Sequence, residues 1–200
     1  MDVLTVIGFW IGAYLLASVS SAIFICRIYG LPDPRQAGSH NPGTTNVLRL
    51  GGKVPAVLTL VGDLFKGWFP VLLTHYFIGK DWISAITILL SCLGHIYPVY
   101  YRFKGGKGVA TALGGLFALS PLLGVAVVGT WIVIAALFRY SSLAALVALT
   151  LCPLYAFGFL GVQVVGPLLL LTLLIIYKHK DNIKRLVLGK ESKLSFFSKS

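Results

Sequence analysis

The sequence predicts an all-α integral membrane protein of seven membrane helices, with its N-terminus outside and its C-terminus in the cytoplasm. Three observations carry that expectation. Hydrophobic residues make up 57% of the chain and charged residues 12%, at a mean hydropathy of +0.88, whereas a soluble domain is about 25% charged. Lipid is therefore the solvent for most of this surface. Uncharged or nearly uncharged runs recur at lengths that cross a hydrocarbon core, which takes about 20 residues of helix. Lys and Arg gather in a few short stretches, as they do in cytoplasmic loops.

Residues 3–26 are uncharged and long enough to cross. No basic stretch precedes them and no small-residue cleavage site follows, so a retained span is expected, not a signal peptide. Residues 54–79 are long enough but carry Asp63 and Lys66. Residues 82–101 are uncharged apart from His95. Residues 108–138 form either one long tilted helix or two pieces broken at Ser120 and Pro121. Residues 140–177 are too long for one crossing and must fold back around 157–166.

The basic residues decide the ambiguous run. They lie at Arg27, Arg35, Arg49 and Lys53, at Arg102, Lys104 and Lys107, and along 178–199. If all three clusters face the cytoplasm, an even number of spans separates the second from the third. The last run supplies two, so 108–138 must supply two as well. Its first piece, roughly 108–119, is short and is expected to be a partial helix. Residues 1–188 then form one membrane-embedded domain, and 189–200 a short exposed tail.

Cys26, Cys92 and Cys152 all sit in apolar segments without pairing or zinc spacing and read as small buried hydrophobes. The net charge of +11 fits the cytoplasmic bias of membrane proteins, and no nucleic-acid motif accompanies it. The four histidines lack metal-ligand spacing and carboxylates are scarce, so neither a metal nor another cofactor is expected.

This topology brings three polar segments to one side: 35–53, 101–111 and 177–186. Two are rich in glycine, which lets backbone N–H groups approach a ligand closely, and all three supply Lys or Arg. A helix start after Lys107, flanked by cations, suits a phosphate. Either loop alone could equally be a plain turn with solvated charges. Neither Gly-Gly-Lys is a nucleotide P-loop, because Tyr101 stands where that motif needs Gly and Gly108 where it needs Ser or Thr. Asp63 and Lys66, spaced i, i+3 on one helix face, either brace the polar site or neutralise each other structurally. No loop cysteine and no Gly-x-Ser-x-Gly elbow offers a nucleophile. Positioning and anion stabilisation are the powers left, and they suit a substrate that is already activated and carries phosphate.

The strings GSHNPGTTNVLR (38–49), GHIYPVYYRFKGGKGVATALGG (94–115) and KHKDNIKRL (178–186) resemble the three signature loops of the bacterial glycerol-3-phosphate acyltransferases that use acyl phosphate, the PlsY family. The resemblance covers nearly the whole chain. It implies a seven-helix enzyme of the bacterial inner membrane with its active site on the cytoplasmic side. Its substrates would be acyl phosphate and glycerol 3-phosphate. The fatty acyl group would pass to the 1-hydroxyl, giving lysophosphatidic acid and phosphate in phospholipid synthesis. Carried over by residue, Ser39, His95 and Lys107 would be catalytic. Asn41, Thr45, Asn46 and Arg49 would bind polar substrate groups, and Lys104 with the N–H groups of Gly105, Gly106 and Gly108 would hold phosphate. His179 and Asn182 would help close the site. The family pattern has Gly where His40 stands and Ala where Thr44 stands, so His40 needs either ordinary backbone angles or a left-handed conformation. For the proton of the attacking hydroxyl, either His95 or the donor's own phosphate is the acceptor.

Two rivals are weighed. The His-x-x-x-x-Asp acyltransferases need Asp five residues after a histidine, but His40, His75, His95 and His179 are followed there by Thr45, Lys80, Tyr100 and Lys184. An organophosphate transporter would suit glycine-broken helices with charge at membrane depth, yet the inverted repeats it calls for are not found.

Overall fold

The computed structural model describes residues 2–194, and among these the regular structure is entirely helical. Helix α1 (Val3–Ala17) begins at Asp2, whose side chain accepts from the Thr5 amide at 2.9 Å. It breaks at 18–20 and resumes as α2 (Ser21–Ile28), so the two together make one apolar stretch of 26 residues. The short α3 (Thr44–Gly51) follows the first polar loop, and α4 (Lys53–Ile78) is the second long span. Pro70 inside α4 cannot donate to the helix ladder, and Thr74 returns a hydroxyl bond to the Pro70 carbonyl at 2.8 Å.

Helix α5 (Asp81–Ile96) is the most buried of the long spans. A 3-10 turn, Val99–Tyr101, and the glycine loop lead from it into α6 (Val109–Leu119). The break expected at Ser120 is present: its hydroxyl caps the next helix and Pro121 starts α7 (Pro121–Phe138). Next, α8 (Ser141–Leu160) turns at Gly161, within the stretch where the run was expected to fold back, into α9 (Val165–Lys178). A 59° bend then leads to α10 (Lys180–Val187).

Five of these stretches are long and apolar enough to cross a membrane, or six if the bent pair α9–α10 is one span. The eleven-residue α6 is too short to cross on its own, in keeping with the partial helix anticipated for that run.

The core is shared by α4 through α9. Ile88, Leu116, Leu123, Leu149, Leu168 and Ile175 are fully buried in it. Outward-facing Ile132, Val133, Leu137, Leu154, Leu170 and Leu173 are exposed, as suits a lipid-facing surface. Thr172 donates across the bundle to the Leu149 carbonyl at 2.8 Å, and Tyr14 donates to the Tyr97 carbonyl at 2.8 Å, where α5 ends.

Two glycine contacts place α6. A Cβ on Gly67 of α4 would collide with the Thr111 carbonyl oxygen, and one on Gly114 of α6 would collide with the Leu64 carbonyl oxygen. The two backbones therefore touch, the small-residue packing that lets membrane helices approach closely. Beside this contact Lys66 is buried. Its Nζ lies 2.9 Å from Asp63 Oδ1 and donates to the Val19 carbonyl at 3.0 Å, satisfying an acceptor freed by the α1–α2 break.

In the described part of the tail expected over 189–200, Gly189, Lys190, Ser192 and Lys193 are exposed, while Glu191, Ser192 and Leu194 find hydrogen-bond partners on the bundle. Residues 195–200 lie outside the described residues.

The α4–α6 contact makes a prediction. Gly67→Ala should cost about 1–3 kcal/mol by overpacking, read as a fall of roughly 2–10 °C in the thermal midpoint of the detergent-solubilised protein. Gly129→Ala on α7, with open space around it, should leave the midpoint unchanged.

Candidate functional site

The three polar segments meet at one end of the bundle. The first loop is organised by Asn46, which is buried. Its Oδ1 accepts from the Ser39 amide at 2.8 Å, and its Nδ2 donates to the carbonyls of Pro34 and Ala37, each at 3.0 Å. Asn46, expected to bind substrate, thus directs its side chain at the loop backbone, and what it positions is Ser39. Ser39 is exposed, and Asn41 and Thr45 are half-buried. His40 takes the left-handed option, with φ 56°, which histidine tolerates better than most residues. Asp33 clamps Arg35 at 2.6 Å on the rim.

The second loop folds back onto the end of α5. Gly105 donates to the Ile96 carbonyl and Gly106 to the His95 carbonyl, each at 3.2 Å. These two N–H groups were expected to hold phosphate. They are instead engaged in the loop, because the last carbonyls of α5 lack helical partners and take the nearest donors. Donors remain at the start of α6: Gly108, at φ 87°, is its N-cap, and no side chain caps it. A methyl on Gly106 would collide with His95 Nε2 and come within 2.9 Å of the Pro42 carbonyl oxygen, so only glycine lets the first two loops close on the histidine. Arg102 and Phe103 both hold left-handed angles just before these glycines, a locally costly conformation of the kind that clusters at functional sites. Lys104 projects into solvent.

Lys107 reaches the third segment, donating to Asn182 Oδ1 at 2.5 Å. Asn182 Nδ2 donates to Glu191 Oε1 at 2.6 Å, and the same oxygen accepts from Ser142 Oγ at 2.7 Å. Arg185 Nε donates to Glu191 Oε2 at 2.6 Å, and Arg49 donates to Ser192 Oγ at 2.6 Å. His179 is buried at the α9–α10 bend, its Nδ1 2.8 Å from the Ile175 carbonyl. Its Nδ1 therefore carries the proton and its Nε2 is left as an acceptor. At the membrane-side wall of the site His95, on α5, lies with Nδ1 3.5 Å from Asp63 Oδ1.

The electrostatics favour an anion. Lys107 is pulled down to about 8, first by burial and then by repulsion from Arg185. Burial works to raise the Glu191 carboxyl, but hydrogen bonds from Ser142, Asn182 and Arg185 outweigh it and hold it below the usual range. The cluster thus offers amide, hydroxyl, guanidinium and ammonium donors around one internal carboxylate.

Of the residues expected at the site, Ser39, Arg49, His95, Lys107, His179 and Asn182 lie on the three polar segments and the helix ends beside them. Sequence reasoning missed Ser142 and Glu191, and left Asp63 and Lys66 without a decided role. Ser142 stands three residues after the basic Arg139, which was a weak local signal.

Comparison with known proteins bears on the family and the fold. The family model for glycerol-3-phosphate acyltransferase matches residues 7–189. A glycerol-3-phosphate acyltransferase of Francisella tularensis subsp. holarctica is 51% identical over 91% of this chain and 89% of its own. The crystal structure of PlsY, an integral membrane glycerol 3-phosphate acyltransferase, in its glycerol 3-phosphate form superposes with a TM-score of 0.91 at 41% identity, over 95% of this chain and 96% of that one. Its lysophosphatidic acid form superposes with a TM-score of 0.88 at 40% identity, over 94% and 95%. With the family match spanning nearly every helix and all three loops, this chain belongs to the glycerol-3-phosphate acyltransferase family, as an integral membrane enzyme.

Proposed function

We propose that this protein transfers a fatty acyl group from acyl phosphate to the 1-hydroxyl of glycerol 3-phosphate, releasing inorganic phosphate and supplying lysophosphatidic acid to phospholipid synthesis. The observation that carries the reading is the convergence of Lys107, Asn182, Arg49, Ser142 and the uncapped start of α6 at one end of a lipid-facing bundle. An amphiphilic donor has both ends accommodated there: its chain among apolar helices, its phosphate among the loops.

The reaction forms one C–O ester bond and breaks the bond between the acyl carbon and the bridging oxygen, which departs with the phosphate. The hydroxyl proton passes to the departing phosphate, whose second pKa near 6 makes it a competent acceptor at neutral pH. Lys107 and the first-turn amides of α6 stabilise the phosphoryl charge. Arg49 binds the phosphate of the acceptor, and Ser39 and His95 orient the attacking hydroxyl. Asn41, Thr45, Lys104 and Gly108 line the approach, Asn46, Gly105 and Gly106 shape the loops, and His179 and Asn182 close the third side. The site faces the cytoplasm of a bacterial inner membrane, with seven membrane segments and the N-terminus outside. The grouping of Lys and Arg at this end supports that orientation.

Three outcomes are expected. The purified protein in detergent, given acyl phosphate and glycerol 3-phosphate, should form lysophosphatidic acid with no transmembrane gradient; absence of product would leave the transporter reading. His95→Ala should lower kcat by roughly 10²-fold, the bottom of the range for acid–base catalysis, whereas a loss beyond about 10⁴-fold would make His95 the base itself. Because Lys107 is depressed to about 8, it loses its charge as pH rises through that value, so the KM for a phosphate substrate should climb above pH 8. Lys107→Arg, which keeps its charge, should flatten that climb; an unaltered profile would remove Lys107 from the phosphate.

A further inference from the structure

We propose that Asp63 is a positioning residue: acting through His95, it determines which ring nitrogen faces the glycine loop, and so orients the histidine for acyl transfer. The inference rests on the reaction proposed above, in which His95 orients the attacking hydroxyl.

Asp63, Lys66 and His95 form a buried ionisable trio at membrane depth, with side-chain exposures of 3%, 5% and 7%. Such groups are costly there and mark function more often than scaffolding. A purely neutralising pair would need only Asp63 and Lys66. Lys66 already has an ion-pair partner in Asp63 Oδ1 and a hydrogen-bond acceptor in the Val19 carbonyl, and that arrangement accounts for the lysine. It does not account for His95, whose Nδ1 stands 3.5 Å from the same carboxylate oxygen and has no other hydrogen-bond partner among the described residues. Catalytic hydrogen bonds in unliganded sites are commonly this long and tighten when substrate binds.

A carboxylate only accepts, so the nitrogen facing it carries the proton. Nδ1–H towards Asp63 leaves the Nε2 lone pair as the group turned towards Gly106, beside which a methyl could not fit. The His95 carbonyl meanwhile accepts the Gly106 amide, fixing the loop to the same residue whose ring Asp63 orients. Asp63 therefore presents an acceptor to a hydroxyl arriving at the glycine loop. The opposite tautomer would present a donor and misalign the nucleophile.

The test is the full-length protein in detergent, with ring ¹⁵N shifts of His95 assigned by their loss in His95→Gln. The expected wild-type ring is neutral and protonated at Nδ1. Asp63→Asn, whose amide can also donate, should mix the tautomers and lower kcat roughly 10-fold, while leaving the KM for glycerol 3-phosphate within about 2-fold. In a His95→Gln background the same change should do nothing further, since the two act as a unit. Asp63→Asn with Lys66→Met removes both charges and guards against a fold weakened by a stranded ammonium. Its kcat should stay low, and recovery to wild-type turnover would reduce Asp63 to a partner for Lys66 and overturn the proposal. A wild-type ring protonated at Nε2, or kcat losses that add in the double variant with His95→Gln, would overturn it equally. The shift measurement needs no turnover, so it judges the role of Asp63 separately from the identity of the reaction.

Discussion

Everything at the polar end depends on the backbone contact between α4 and α6. Gly67 lies against the Thr111 carbonyl and Gly114 against the Leu64 carbonyl, so the short helix seats against the long one with no side chain between them. A helix of eleven residues cannot span hydrocarbon. It stays embedded because neighbouring helices cover it, and Ala112 and Leu116 are fully buried. That burial fixes its start beside Lys107, where no side chain caps the first-turn amides. The same contact brings the α4 face carrying Asp63 against the α5 end carrying His95.

Charge in the structure alternates outward from that contact. Lys66 and Asp63 meet within the bundle, His95 stands next, then the glycine loop. Beyond it Lys107, Asn182, Glu191 and Arg185 continue the chain to the surface. Each cation thus has a nearby acceptor, which moderates the cost of holding so many positive groups together. Lys107 is depressed first by burial and then by the Arg185 charge, so a negative charge brought beside it would favour its protonated form.

The apolar runs, the break at Ser120 and Pro121 and the convergence of the polar segments were legible because each rests on a local rule: span length, helix capping, or the sidedness of basic residues. The direction of individual groups was not. Gly105 and Gly106 looked like phosphate donors, but the unpaired carbonyls of Ile96 and His95 are nearer and take those amides. Asn46 looked like a ligand for substrate, yet a buried amide must satisfy both its donors, and the carbonyls of Pro34 and Ala37 do so. Ser142 sits at the start of an apolar run, and Glu191 in a polar tail. Arg139 nearby is a weak signal for the first, and nothing marks the second until folding brings the tail back across α8 and α10.

The scarcity of free carboxylates at the site fits the chemistry. In the proposed reaction the acyl phosphate is already activated, so the enzyme would have little need of a strong base and much need of water exclusion and alignment. A free carboxylate beside two phosphate-bearing substrates would repel both. Asp33 is clamped to Arg35 on the rim, Glu191 is engaged by Ser142, Asn182 and Arg185, and Asp63 by Lys66 and the facing His95 ring. Their negative charge orders donors without standing open to the phosphates. Under the proposed reaction, confining anions to that supporting role would let one polar end, set on a bundle otherwise solvated by lipid, admit a greasy donor and a doubly charged acceptor together.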